Sequence, residues 1–84
     1  MSLSELANSV TSREDFVAFV YALIDDYHKS SANWENNDLE SYLDAVAAWT
    51  EDSDGYFMNA GIPIQHELSW RFAAQILTAA RIYE

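Results

Sequence analysis

An all-α fold, a compact bundle of about three amphipathic helices with a short extra N-terminal helix, follows from three observations on this sequence. Apolar residues recur at helical spacing in three separate segments. No stretch sustains the two-residue alternation of a strand, and only two glycines and one proline interrupt the 84 residues. That length holds one core and no second domain, so residues 1–84 read as one helical domain with its core over about 12–84. Small size is offset by the ring content, 3 Trp, 5 Tyr and 4 Phe. Each buried ring removes about 150–250 Å² from water, and such a core can stand without a metal or a disulfide.

The strongest periodicity predicts a helix over about 12–29. Thr11 and Glu14 form its capping box. Phe16, Phe19, Val20, Leu23 and Tyr27 make its core stripe, and Val17 and Ile24 widen that stripe. Ahead of it, Ser2 and Glu5 form another cap, which opens a short turn of helix up to Asn8.

After the polar run Ser30 to Asn33, Asn36 or Asn37 with Glu40 restarts the pattern. Leu39, Tyr42, Leu43, Val46, Trp49, Tyr56 and Phe57 then share one face of a helix reaching Ser53, or Asn59 if Gly55 does not end it. Gly61 to Gln65 reads as a loop around Pro63. The last helix starts near Leu68 or Ser69 and runs to the end of the sequence. Trp70, Phe72, Ala73, Ile76, Leu77, Ala80 and Tyr83 lie on its core face, with Arg71, Gln75 and Thr78 opposite.

Fourteen acidic against four basic residues give a formal charge of −10. That charge repels phosphate backbones and anionic lipid heads, so neither nucleic acid nor a membrane is an expected partner. Solubility alone is one use of such a charge; steering toward a basic protein partner is another. The longest uncharged apolar run, Phe16 to Ile24, is far short of the roughly 20 residues of a membrane span. Glu5, Arg13, Glu14 and Asp15 interrupt the segment where a secretory signal would place its apolar stretch. With no cysteine present, a cytoplasmic location is expected.

Catalytic and cofactor signatures are missing, so no enzyme activity, cofactor or metal is expected. Asp52, Asp54 and Gly55 look like part of a calcium loop. However, placing Gly55 sixth puts Thr50 first and Gly61 twelfth, where acids belong. His28 and His66 are isolated, with no second histidine or Glu-x-x-His pair at helical spacing. The two glycines are separated and neither precedes a lysine, which excludes a phosphate loop.

Candidate partner-binding residues fall in three groups. Glu40, Asp44, Glu51 and Asp54 lie within an arc of about 80° on the polar side of the second long helix. Trp34, followed by Glu35 in a polar loop, is either an exposed binding ring or a lid over the core. Asp52 and Tyr56 flank Trp49, where the acid either receives a partner's basic side chain or pairs internally with Arg71 or Arg81.

The run Trp34-Glu35-Asn36, Leu39, Tyr42-Leu43, Ala45, Ala47-Ala48-Trp49, Asp52 and Asp54-Gly55-Tyr56 belongs to a wider pattern. Ser69-Trp70, Ala80 and Tyr83-Glu84 complete it at one end, and Phe16, Phe19 and Leu23 at the other. From about Ser12 to Glu84 the sequence resembles an uncharacterised family of short bacterial proteins known only as a domain of unknown function. The resemblance implies a bacterial origin and a compact, mostly helical domain, and it supplies no activity. By charge and size the leading functional expectation is a non-catalytic acidic interaction protein that binds a basic protein surface, of immunity or inhibitor type. The alternatives are a DNA mimic, or a small ligand binder or enzyme with a pocket near the tryptophans. Self-association into a homo-oligomer is open as well.

Overall fold

The computed structural model describes residues 2–64 and 66–83. Its elements are α1 (Leu3–Asn8), α2 (Arg13–Ser30), a 3-10 turn (Ser31–Asn33), α3 (Leu39–Ala60) and α4 (Trp70–Ala79), with no strand among the described residues. The all-α prediction holds, including the short N-terminal helix. Gln65 and Glu84, assigned above to a loop and to the end of the last helix, lie outside the described residues.

Side-chain caps set where the helices begin. The Glu5 N–H donates to the Ser2 hydroxyl and the Ser2 N–H donates to the Glu5 carboxylate, each at 3.1 Å, which closes the expected box on α1. On α2 the cap sits one residue later than predicted. Ser12 accepts from the Asp15 N–H at 3.1 Å, while the Thr11 N–H and hydroxyl both donate to the Asp15 carboxylate. Thr11 therefore lies outside the helix, and Asp15 replaces Glu14 as the residue that reaches back.

α3 starts later than predicted for a similar reason. Asp38 caps it by accepting from the Ser41 N–H at 2.9 Å. Asn36 is committed elsewhere: its amide donates to the carbonyls of Ala80 (3.0 Å) and Tyr83 (2.7 Å). The helix then passes Gly55 without a break and ends where Gly61 turns the chain at φ 72°, a left-handed conformation that favours glycine. α4 opens on Ser69, which accepts from the Phe72 N–H at 2.9 Å, and it stops at Ala79 rather than continuing to the end.

α4 is the central element and packs against α1, α2 and α3. Because it is surrounded, its buried residues do not follow a single stripe. Phe72, Ala74, Ile76, Thr78 and Ala80 are all buried, and Thr78, placed above on the polar side, donates its hydroxyl to the Ala74 carbonyl at 2.8 Å. Trp70 in turn is 43% exposed and leans on Phe16, ring centres 5.5 Å apart.

Two apolar clusters meet along α4. One gathers Ala7, Val10, Phe19, Leu23 and Trp34 around Ala74. The other joins Trp49 and Phe57 of α3 to Phe72 and Ile76. On α3 the buried line is Ala45, Trp49, Ser53 and Phe57, rotated from the predicted face. As a result Leu39 and Leu43 stand in solvent and Tyr56 is only partly covered. On α2, Val17 and Ile24 also fail to reach the core. The Cα radius of gyration, 12.4 Å, is close to the roughly 12 Å expected of a compact chain this long.

Candidate interaction surface

The outer side of α3 is acidic because its inner side is fixed. With Ala45, Trp49, Ser53 and Phe57 turned inward at four-residue spacing, Glu40, Asp44, Glu51 and Asp54 must point the other way, and all of them are exposed. Among the described residues, ion pairs join Lys29 to Asp25 (3.0 Å) and Arg81 to Asp26 (3.7 Å), and none reaches this face. No cation among the described residues therefore pairs with these four acids of α3.

Asp52 lies between that face and the buried line of α3, Tyr56 lies beside the buried line, and both belong partly to the fold. Asp52 accepts a short hydrogen bond from the Tyr83 hydroxyl rather than pairing with Arg71 or Arg81, which corrects the expected internal partner. That bond raises the Tyr83 pKa above its ordinary value, with burial and the Asp52 charge adding to the effect. Tyr56 packs obliquely on Trp49 at 5.4 Å and edge-on to Phe57 at 5.2 Å. Glu35 is exposed on the loop ahead of α3, apart from the stripe.

Trp34 is the lid of the two readings given above, since only 8% of it is exposed. Its indole N–H donates to Asp26 at 2.8 Å. Tyr27 meets the ring edge-on at 5.1 Å, Tyr42 stacks on it at 5.7 Å, and the Arg81 guanidinium lies 5.9 Å from its centre. One ring thus joins α2, α3 and the segment after α4. The Tyr42 hydroxyl behind it donates to the Leu77 carbonyl at 2.6 Å, and burial pushes its pKa up to about 12.

A second surface feature was not singled out in the sequence. A cleft of about 840 Å³ opens between the α1–α2 connection, the end of α3 and the start of α4. Its lining includes Val10, Phe57, Ile62, Leu68, Trp70 and Arg71. The available signal was local, for Leu68, Trp70 and Arg71 bracket the cap Ser69 and place large side chains where a helix is only beginning.

No set of three or more His, Asp or Glu side chains converges on a metal position among the described residues. No helix among them is long and apolar enough to cross a membrane.

Residues 12–84 match the model of a family of unknown function, DUF7660. The chain belongs to that family. The match begins at Ser12, the α2 cap, and extends over α2, α3 and α4, the span that the resemblance indicated; α1 lies outside it. Comparison with curated proteins and comparison with solved structures give no match. The family carries no activity to assign to particular residues.

Proposed function

We propose that this protein is a non-catalytic interaction protein that presents the acidic outer face of α3 to a basic protein surface. The observation that supports this reading is the exposed set Glu40, Asp44, Glu51 and Asp54, which form no ion pair among the described residues, in a chain of net charge −10. Charge of one sign concentrated on a rigid helix steers encounter with an oppositely charged partner and fixes its orientation. An immunity or inhibitor protein, whose target is a basic enzyme, is one form of this function. Glu40, Asp44, Glu51 and Asp54 form one stripe, while acids such as Glu5, Glu14, Asp25 and Glu35 are scattered over α1, α2 and the loop. No regular array among the described residues therefore imitates a phosphate backbone, and a protein target is favoured over a DNA-mimic role. A chain without cysteine is suited to the reducing cytoplasm, where we place this activity.

The test is affinity capture from the native host at low salt and at roughly 0.5 M salt, where screening is nearly complete within a few ångströms. A partner recovered at low salt, lost at high salt and lost to an Asp44→Lys, Glu51→Lys double variant supports the reading, provided that Glu14→Lys on α2 retains it. Recovery that ignores both salt and the α3 reversal overturns it.

A further inference from the structure

The cleft beside Trp70 lies away from the acidic face and reaches into the core. Val10 and Phe57, each 1% exposed, line its depth. Leu68, Trp70 and Ile62 stand at its sides, 71%, 43% and 40% exposed, so folding leaves these apolar side chains partly in water. A volume of about 840 Å³ falls within the roughly 300–1,000 Å³ of small-molecule pockets.

The polar groups of the lining are mostly engaged already. The Thr11 hydroxyl donates to Asp15, the Ser69 hydroxyl accepts from the Phe72 N–H, and the Gln75 amide donates to Asn8. Arg71 differs from them: it is exposed, and among the described residues it is the only charged side chain of the lining and no carboxylate pairs with it. An apolar trough with one unpaired guanidinium at its wall is complementary to a single planar anion carried on an apolar body.

From this geometry we infer that the cleft binds a small amphipathic monocarboxylate, its tail against Trp70, Leu68 and Phe57 and its carboxylate on Arg71. The protein's net charge of −10 opposes any anion at long range. Affinity therefore comes from apolar burial at contact, and Arg71 selects the carboxylate over a neutral head of the same size. The site is independent of the acidic face of α3.

Trp70 provides the readout, because Trp34 and Trp49 are each only 8% exposed and Trp70 is the tryptophan that acrylamide reaches. Titrating the whole protein with decanoate, phenylbutyrate and decanol should shift Trp70 emission to shorter wavelength and shield it from acrylamide. Decanoate should bind more tightly than decanol. Arg71→Gln, a change at an exposed position, should weaken decanoate by about tenfold and leave decanol unaffected. Leu68→Ala should weaken both decyl probes alike. The Asp44→Lys, Glu51→Lys variant, which disables the α3 face, should bind decanoate at least as well as the unaltered protein. Failure of both carboxylates to protect Trp70 at millimolar concentration overturns the inference, as does undiminished decanoate binding in Arg71→Gln.

Discussion

The indole N–H of Trp34 donates to the Asp26 carboxylate at 2.8 Å, and the same carboxylate faces Arg81 at 3.7 Å. Asp26 sits on α2, Trp34 in the loop and Arg81 just after α4, so one acid ties three parts of the chain together. Trp34→Ala removes the buried ring as well as the hydrogen bond and should cost about 3–5 kcal/mol. Trp34→Phe keeps most of the ring and should cost about 1 kcal/mol, since Asp26 retains Arg81 and some water. Urea denaturation of the two variants measures the difference; equal losses would mean that the hydrogen bond, not the packing, holds the lid.

Asn36 anchors the segment after α4 by donating to two carbonyls. Asn36→Ala leaves the Ala80 and Tyr83 carbonyls without that donor and should destabilise by about 1–3 kcal/mol. Asn36→Asp should be worse than alanine, because it turns a carboxylate toward two acceptors. Thermal unfolding gives the order, and an aspartate variant more stable than the alanine variant contradicts the assignment of the amide nitrogen.

The two glycines should respond oppositely to alanine. Gly61 holds φ 72°, so Gly61→Ala should cost about 1–2 kcal/mol. Gly55 lies within α3 with nothing within 4 Å of an added Cβ, so Gly55→Ala should stabilise by about 0.5–1 kcal/mol. A pair of melting curves decides both signs.

Acid should undo the helix caps. The Thr11 N–H and hydroxyl hold the Asp15 carboxyl below its ordinary range, and Ser2 and Ser41 do the same for Glu5 and Asp38. The folded-state value lies below the unfolded one. Each cap therefore stabilises fully above the ordinary value of about 4 and loses that contribution as pH falls through the depressed value. The stability gap between the unaltered protein and Asp15→Asn, measured by urea titration from neutral to acid pH, should close at the acid end. A gap independent of pH would show that the Asp15 charge plays no part.

Alkali acts on Tyr42 in the opposite direction. Burial raises its pKa to about 12, so the neutral phenol stabilises the fold below the unfolded value near 10 and the contribution disappears as pH rises through 12. Tyr42→Phe should lose about 1 kcal/mol at neutral pH, where the bond to Leu77 is missing. It should also unfold less steeply in alkali. A matching alkaline slope in both proteins refutes the role of Tyr42.

The parts of this fold legible in sequence were those with one buried side. α2 packs one face inward, so Phe16, Phe19, Val20 and Leu23 could be read from spacing alone. α4 defeated the same reasoning because neighbours surround it, and Thr78 is buried by satisfying its hydroxyl on its own helix. On α3 the buried line runs through Ala45 and Ser53, small residues that a hydrophobicity stripe passes over, while the conspicuous Leu39 and Leu43 lie outside it. Caps were misplaced by one or two residues wherever neighbouring polar side chains competed for the role, as Thr11 with Ser12 and Asn36 with Asp38. The acidic arc was readable because charge on a long helix needs only the helical period. The cleft was not, since it is made by segments that meet only in the folded chain.

α4 follows in sequence every helix it touches. During synthesis α1, α2 and α3 are made before Trp70–Ala79 exists, and neither apolar cluster can close without Ala74, Phe72 and Ile76. Assembly must wait for contacts between distant parts of the chain, which makes the nascent protein prone to capture by chaperones and proteases until α4 arrives.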